Sequence, residues 1–171
     1  MDNAAEAVIK GAELEVKAVP TDALSLNLIV TYTGAKYTDY VIRNPATGAI
    51  VEDRTNDPLI TPEWSYSVGA QYRWDLPVGA LTARLDWSHR ESVDQPASIF
   101  GTFGVHVPAY GLLSGRLELA VAERDLSVAV VGRNLLDETY ITNGIDLRSL
   151  GFNAAIPGER RYIGVQLTQR W

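Results

Sequence analysis

Two superimposed patterns constrain this chain more than its composition does. Seven stretches alternate apolar and polar residues with period two, and the connections between them alternate short and long. Residues 63–74, EWSYSVGAQYRW, show the first pattern. Trp64, Tyr66, Val68, Ala70, Tyr72 and Trp74 share one face; Glu63, Ser65, Ser67, Gly69, Gln71 and Arg73 share the other. Strand side chains point alternately to opposite sides, so this stretch is a β-strand with two unlike faces. A soluble barrel would use the aromatic face as its core. A membrane barrel would turn it to lipid and line its lumen with the polar face.

The remaining strands are expected at about 7–19, 24–40, 80–91, 109–121, 126–136 and 160–171. PTDA (20–23), DLPVG (75–79) and AERD (122–125) make short connections; 43–62, 92–108 and 138–157 make long ones. Successive connections of an up-and-down meander lie at opposite ends, so the short turns gather at one end and the long loops at the other. Outer-membrane barrels have this arrangement, with short periplasmic turns and long extracellular loops. The expected fold is therefore all-β: an antiparallel up-and-down meander of about seven strands, a partial transmembrane β-barrel. Its C-terminus would be periplasmic.

The strand length fits a bilayer. Trp64 and Trp74 are ten residues apart on one face. That is roughly 33 Å along a strand, or roughly 25 Å in height at a tilt of about 40°, matching the apolar band of such barrels. Trp64 and Trp87 are then expected in the upper aromatic girdle, Trp74 and Trp171 in the lower one. Arg73, Arg84, Asp86, Arg116, Glu118, Arg133 and Arg170 fall on the face opposite the aliphatic one. They are expected to line the lumen and to pair across strands.

Composition narrows the function. The 171 residues suit one domain. No run approaches 18 apolar residues, so no transmembrane helix is expected, which leaves β-strand crossing open. The net charge is −6 with scattered Lys and Arg, which gives no nucleic-acid footprint. Cysteine is absent, so disulfides and thiolate metal sites are out. The opening MDNAAEAVIKG has no basic region, apolar core or cleavage site, so no signal peptide is expected.

The remaining chemistry-bearing residues have plain readings. Asp86 and Ser88 share a face while His89 points the other way, against a hydrolase triad. His89 reads as an interfacial or loop histidine and His106 as a loop residue able to touch a metal chelate. EDRTND (52–57) lacks the Ca²⁺-loop spacing, and GTFG (101–104) lacks the Lys and helix of a phosphate cradle. No catalytic residue, metal site or cofactor is expected.

The C-terminal third resembles a known family. In GRNLLDETYITNG (132–144), Asn134, Leu135, Leu136, Asp137 and Tyr140 resemble the penultimate-strand pattern of TonB-dependent outer-membrane receptors. In PGERRYIGVQLTQRW (157–171), Pro157, Gly158, Arg161, Gly164, Val165, Leu167 and Trp171 resemble their closing strand. KGAELEV (10–16), YTGAKYTDY (32–40), PEW (62–64) and PAYGLLSGRLEL (108–119) are similar to the preceding strands in order. Gln169 stands where the family usually has Tyr or an apolar residue, and Trp171 where Phe is commoner.

The resemblance implies that residues 1–171 are the C-terminal part of a receptor barrel, without its plug domain or signal peptide. Family members import scarce nutrients such as ferric siderophores, vitamin B12 or glycans, with the plug and loops binding ligand and TonB supplying energy. The implied partners are outer-membrane lipid, the rest of the barrel, the plug, TonB, and the barrel-assembly machinery. That machinery would read Ile163, Val165, Leu167 and Trp171. Loops 43–62, 92–108 and 141–156 would face ligand. A segment without a plug is not expected to transport alone. Two other readings accompany this one: a small self-standing outer-membrane barrel, structural or adhesin-like, and a soluble carrier with an aromatic-lined cavity.

Overall fold

Period-two alternation becomes strands with little interruption. The computed structural model describes residues 5–95, 105–122, 125–147 and 150–169. Among these the strands are β1 (Glu6–Thr21), β2 (Leu24–Asp39), β3 (Val41–Arg43), β4 (Ile50–Asp53), β5 (Trp64–Leu76), β6 (Gly79–Arg90), β7 (Val93–Gln95), β8 (Val105–Val107), β9 (Tyr110–Val121), β10 (Leu126–Arg133), β11 (Ile141–Leu147), β12 (Phe152–Pro157) and β13 (Tyr162–Gln169). Seven of them form one antiparallel sheet in the order β1-β2-β5-β6-β9-β10-β13. These are the seven strands expected from the sequence, neighbour beside neighbour. Within the described residues β1 and β13 are unpaired edges, so the sheet is an open piece of barrel wall.

The short connections are tight because their residues permit it. Thr21 Oγ1 accepts from Leu24 N at 3.1 Å across the first turn. Gly79 closes the second with φ 141°, where a Cβ would collide with the Ala120 carbonyl. The long connections differ from the expectation of plain loops: each carries a two-stranded hairpin, β3–β4, β7–β8 and β11–β12. Their strands are only three to seven residues long. Alternation over so few residues does not stand out from the surrounding polar sequence.

Two boundaries also move. The sixth strand of the meander ends at Arg133 rather than 136, because Asn134 turns to φ 46°. The first runs on through Pro20 to Thr21; a missing N–H is tolerated on an edge strand, and the register shifts there.

Register carries each face across the sheet. One row runs Ala18, Leu26, Ala70, Leu85, Gly115, Gly132, Ile163. A second runs Trp74, Leu81, Leu119, Val128, Leu167. This apolar face is uncovered. Leu14, Leu26, Val68, Leu85, Leu117 and Val130 are exposed, and Val165 on the edge strand is 75% exposed. The total surface is 11949 Å² for 18.7 kDa, against roughly 8,300 Å² for a globular monomer of that mass. A soluble carrier would bury the aromatic face as its core, and this fold does not.

Among the described residues, the buried apolar side chains are Val93, Val107 and Ala129. Val93 and Val107 face each other across the β7–β8 hairpin. Val105 of that hairpin lies against Gly144 of β11, where a Cβ would strike its side chain. The nearest thing to a core thus lies among the long connections, above the sheet.

Candidate functional site

The polar face of the sheet is a wall of charged and amide groups. Each expected arginine in the middle of a strand pairs with an acid two residues further along the same strand. Arg73 Nε lies 3.0 Å from Asp75 Oδ1, Arg84 Nε 2.7 Å from Asp86 Oδ2, and Arg116 Nε 2.9 Å from Glu118 Oε2. This corrects the expectation of cross-strand ion pairs. The register sets Arg84 directly opposite Arg116, so the acid must come from along the strand. The cross-strand bonds go to neutral amides instead. Arg84 Nη2 donates to Asn27 Oδ1 at 3.1 Å, and Arg116 Nη1 to Gln166 Oε1 at 2.8 Å. Gly69 lies between Asn27 and Asp86, and a Cβ there would collide with both. Neither amide was singled out in the sequence; the repeated Arg-x-Asp/Glu spacing at 73, 84 and 116 was the available signal.

At the end of β10 the chain builds a clamp from the Asn134–Tyr140 motif. Asn134 is buried, 3% exposed, and makes three hydrogen bonds. Its Nδ2 donates to the carbonyls of Glu138 and Glu159, each at 2.9 Å, and its Oδ1 accepts from Glu138 N at 2.9 Å. Asn134 and Asp137 both have positive φ, 46° and 55°, a conformation that Asn and Asp tolerate better than most residues. Asp137 then reaches the other side of the loop: Arg161 N donates to Oδ1 at 3.1 Å and Arg160 Nη2 to Oδ2 at 3.0 Å. The Arg161 amide chiefly holds the Asp137 carboxyl below its usual range against the opposing effect of burial, with the charges of Arg160 and Arg161 adding to it. Tyr140 packs on Tyr110 at 4.5 Å between ring centroids, accepts from Glu159 N at 3.2 Å, and covers Gly158, which has no room for a Cβ. The motif residues therefore fix where β10 leaves the sheet and where β13 re-enters it. Arg133 joins less closely, 3.7 Å from Glu159.

On the apolar face, Trp64 packs on Tyr32 at 4.8 Å and Trp74 on Tyr72 at 4.6 Å, near opposite ends of β5. Trp87 is set beside Val68, its ring leaning over Gly111 toward the long-connection end. His89 stacks on Tyr66 at 4.8 Å, away from Asp86. Ile163, Val165 and Leu167 lie on this face opposite Gly132, Val130 and Val128. Trp171, Arg170 and GTFG (101–104) lie outside the described residues. Leu135 folds back over Gly115 and Gly132, filling part of the groove those glycines open.

In the long connections, His106 Nδ1 meets Asp94 Oδ1 at 2.7 Å across β7–β8. The EDRTND segment is held by its own groups and by its neighbours Tyr40 and Lys36. Arg54, 4% exposed, is held by Glu52 at 2.8 Å and lies 5.8 Å over the Tyr40 ring. Asp53 accepts from Thr55 N at 2.9 Å, and the Thr55 hydroxyl and amide lower its pKa. Among the described residues no group of three or more His, Asp or Glu is arranged to hold a metal.

Residues 1–135 match the family model described as TonB dependent receptor-like, beta-barrel. The chain belongs to that family. TonB-dependent receptors are transporters of the Gram-negative outer membrane rather than a family of enzymes. The wall is similar to three solved receptors. It aligns with the ferric yersiniabactin uptake receptor FyuA of Yersinia pestis at TM-score 0.75 and 20% identity, over 95% of this chain and 23% of that one. With the siderophore receptor PiuA of Acinetobacter baumannii the values are 0.73, 19%, 96% and 22%. With the ferric-catecholate import receptor Fiu of Escherichia coli K12 they are 0.70, 18%, 95% and 20%. At such identities the likeness establishes the fold. This TonB-dependent receptor segment spans less than a quarter of the length of the receptors it resembles. No curated protein matches it in sequence.

Proposed function

We propose that the chain is wall and loop material of an outer-membrane uptake receptor, the C-terminal part of its barrel. The apolar face meets lipid, the Arg73–Arg116 wall meets the lumen, the long connections are extracellular, and the C-terminus is periplasmic. The observation that carries this reading is the shared parity of the seven strands: most of their exposed leucines, valines and aromatics lie on one face, with Ile9, Val19 and Tyr162 at strand ends as exceptions, and the arginine–acid pairs lie on the other. Water would not tolerate that apolar face uncovered, and lipid favours it.

The partners follow from the same reading. The open edges of β1 and β13 present unpaired backbone groups, costly in lipid, and pair with the remaining strands of the receptor. A plug occupies the lumen and contacts the arginine–acid pairs, TonB acts on the plug, and the assembly machinery reads Ile163, Val165, Leu167 and Trp171. The ligand class is a ferric siderophore, in line with the ferric yersiniabactin, siderophore and ferric-catecholate ligands named for the three receptors of like fold, bound by the plug together with the hairpin-bearing connections. The segment supplies no catalytic group.

Nitroxide labels tested one position at a time from 64 to 74, with the chain refolded in phosphatidylcholine vesicles, examine the face assignment. Oxygen should quench at 66, 68, 70 and 72, and an aqueous paramagnet at 65, 67 and 71. The reverse phase, or no period, would refute it.

A further inference from the structure

The apolar face carries two lysines where its aliphatic rows end. Lys10 and Lys36 share the parity of Leu14, Val30 and Tyr32, at the long-connection end of β1 and β2. Lys36 lies opposite Val8, and Lys10 opposite Gly34. They are therefore diagonal neighbours, with Cα atoms roughly 7–8 Å apart. Between them Gly34, with no side chain, makes room for an aromatic ring. The Tyr32 ring leans over that glycine, its hydroxyl 3.0 Å from where a Cβ would stand. Below it lies the Tyr32–Trp64 ring pair.

A turn of chain at 56–63 completes the cup. Leu59 N bonds to Ala35 O at 3.0 Å and Thr33 N to Glu63 O at 2.8 Å, which holds this turn against β2. Lys36 Nζ donates weakly to Asn56 Oδ1 at 3.4 Å. The resulting pocket, lined also by Val8, Pro58 and Thr61, opens to solvent and holds two lysines against the single carboxylate of Glu63.

We propose that this cup binds the phosphate of an anionic lipid headgroup in the outer leaflet. The inference rests on the lipid-facing assignment of the apolar face. Paired Tyr and Trp rings mark the headgroup level of a membrane protein. Lysines just above them run their methylene stems along apolar surface and hold their ammonium groups among the phosphates. Lys10, Lys36 and the Tyr32 hydroxyl supply the donors, and Gly34 makes room for that hydroxyl beside the lysines. A lysine on this face deeper in the bilayer would be costly; at this level it has an obvious counterion.

The test uses the full chain refolded in vesicles, either of phosphatidylcholine alone or with one-fifth phosphatidylglycerol as the anionic probe. Native mass spectrometry after extraction reads the retained lipid, and tryptophan fluorescence reads insertion. The wild type should retain phosphatidylglycerol in preference to phosphatidylcholine. K10Q and K36Q should each cut that preference about fivefold, and the double variant should abolish it, with insertion unchanged. Millimolar inorganic phosphate should not displace the lipid. No preference in an inserted wild type, or a preference that survives K10Q/K36Q, overturns the site. Displacement by inorganic phosphate overturns the lipid as its source. A nitroxide at position 68 that an aqueous paramagnet reaches in the inserted chain overturns the face assignment beneath it.

Discussion

Arg84 reaches over β5 to donate to Asn27 Oδ1 at 3.1 Å, and it crosses the sheet above Gly69. The guanidinium also holds Asp86, so three side chains from β2 and β6 meet over the one residue of β5 that has no side chain. Glycine is needed there for space, since Gly69 is not among the residues of positive φ. Gly69→Ala should destabilise the sheet by about 1–3 kcal/mol through overpacking. Combining it with Asn27→Ala, which removes one of the colliding groups, should cost less than the sum of the two. Urea unfolding in detergent micelles, followed by tryptophan fluorescence, measures both.

Asn134 separates a conformational cost from a hydrogen-bonding cost. Asn134→Ala loses three hydrogen bonds at a buried position and forces a Cβ residue to hold φ 46°. It should cost about 2–4 kcal/mol. Asn134→Gly relieves only the backbone part and should recover about 1 kcal/mol of that. Equal losses in the two variants would show that backbone strain is negligible here.

Asp137 predicts how the clamp responds to acid. Its folded pKa is depressed, chiefly by the Arg161 amide. Its contribution is therefore fully present above the unfolded carboxylate value of about 3.9, and is lost as pH falls through the lower folded value. Chemical shifts of the Asp137 carboxyl carbon should titrate below the ordinary aspartate value of about 3.9. Asp137→Asn should lose the carboxylate's hold on Arg160 at every pH.

The faces predict opposite tolerance at adjacent positions. Val68→Arg puts a charge mid-strand on the exposed apolar face and should cost about 2–4 kcal/mol of insertion, with Trp64→Asp costing less nearer the rim. Ser67→Arg, on the polar face beside Ser88 and Ile29, should insert normally. Vesicle flotation compares the three, and equal tolerance would contradict the assignment.

Gly144 joins two hairpins without touching the sheet. Gly144→Ala drives a Cβ into Val105 and should detach β11–β12 from β7–β8. Hydrogen exchange should rise in those two hairpins and stay unchanged in β5 and β6.

The sequence by itself determined the seven long strands, their order, the parity of Trp64 through Trp74 and the sorting of short and long connections. Period-two alternation is a local property, and a meander needs only adjacent elements to pair. Asn134, Asp137 and Tyr140 were legible as a family motif, but their work was not. Only the tertiary structure brought Arg161 and Glu159 to them, across 19 to 25 residues of chain. Register decided the rest. It set Arg84 opposite Arg116, which moved their ion pairs onto single strands and left Asn27 and Gln166 to bridge between strands. It also set Lys10 and Lys36 around Gly34. Which residues oppose one another across a sheet depends on turn geometry and bulges at its ends, and a shift of two residues keeps every face while changing every neighbour. Parity could therefore be read from the chain, whereas the partners had to be seen in the fold.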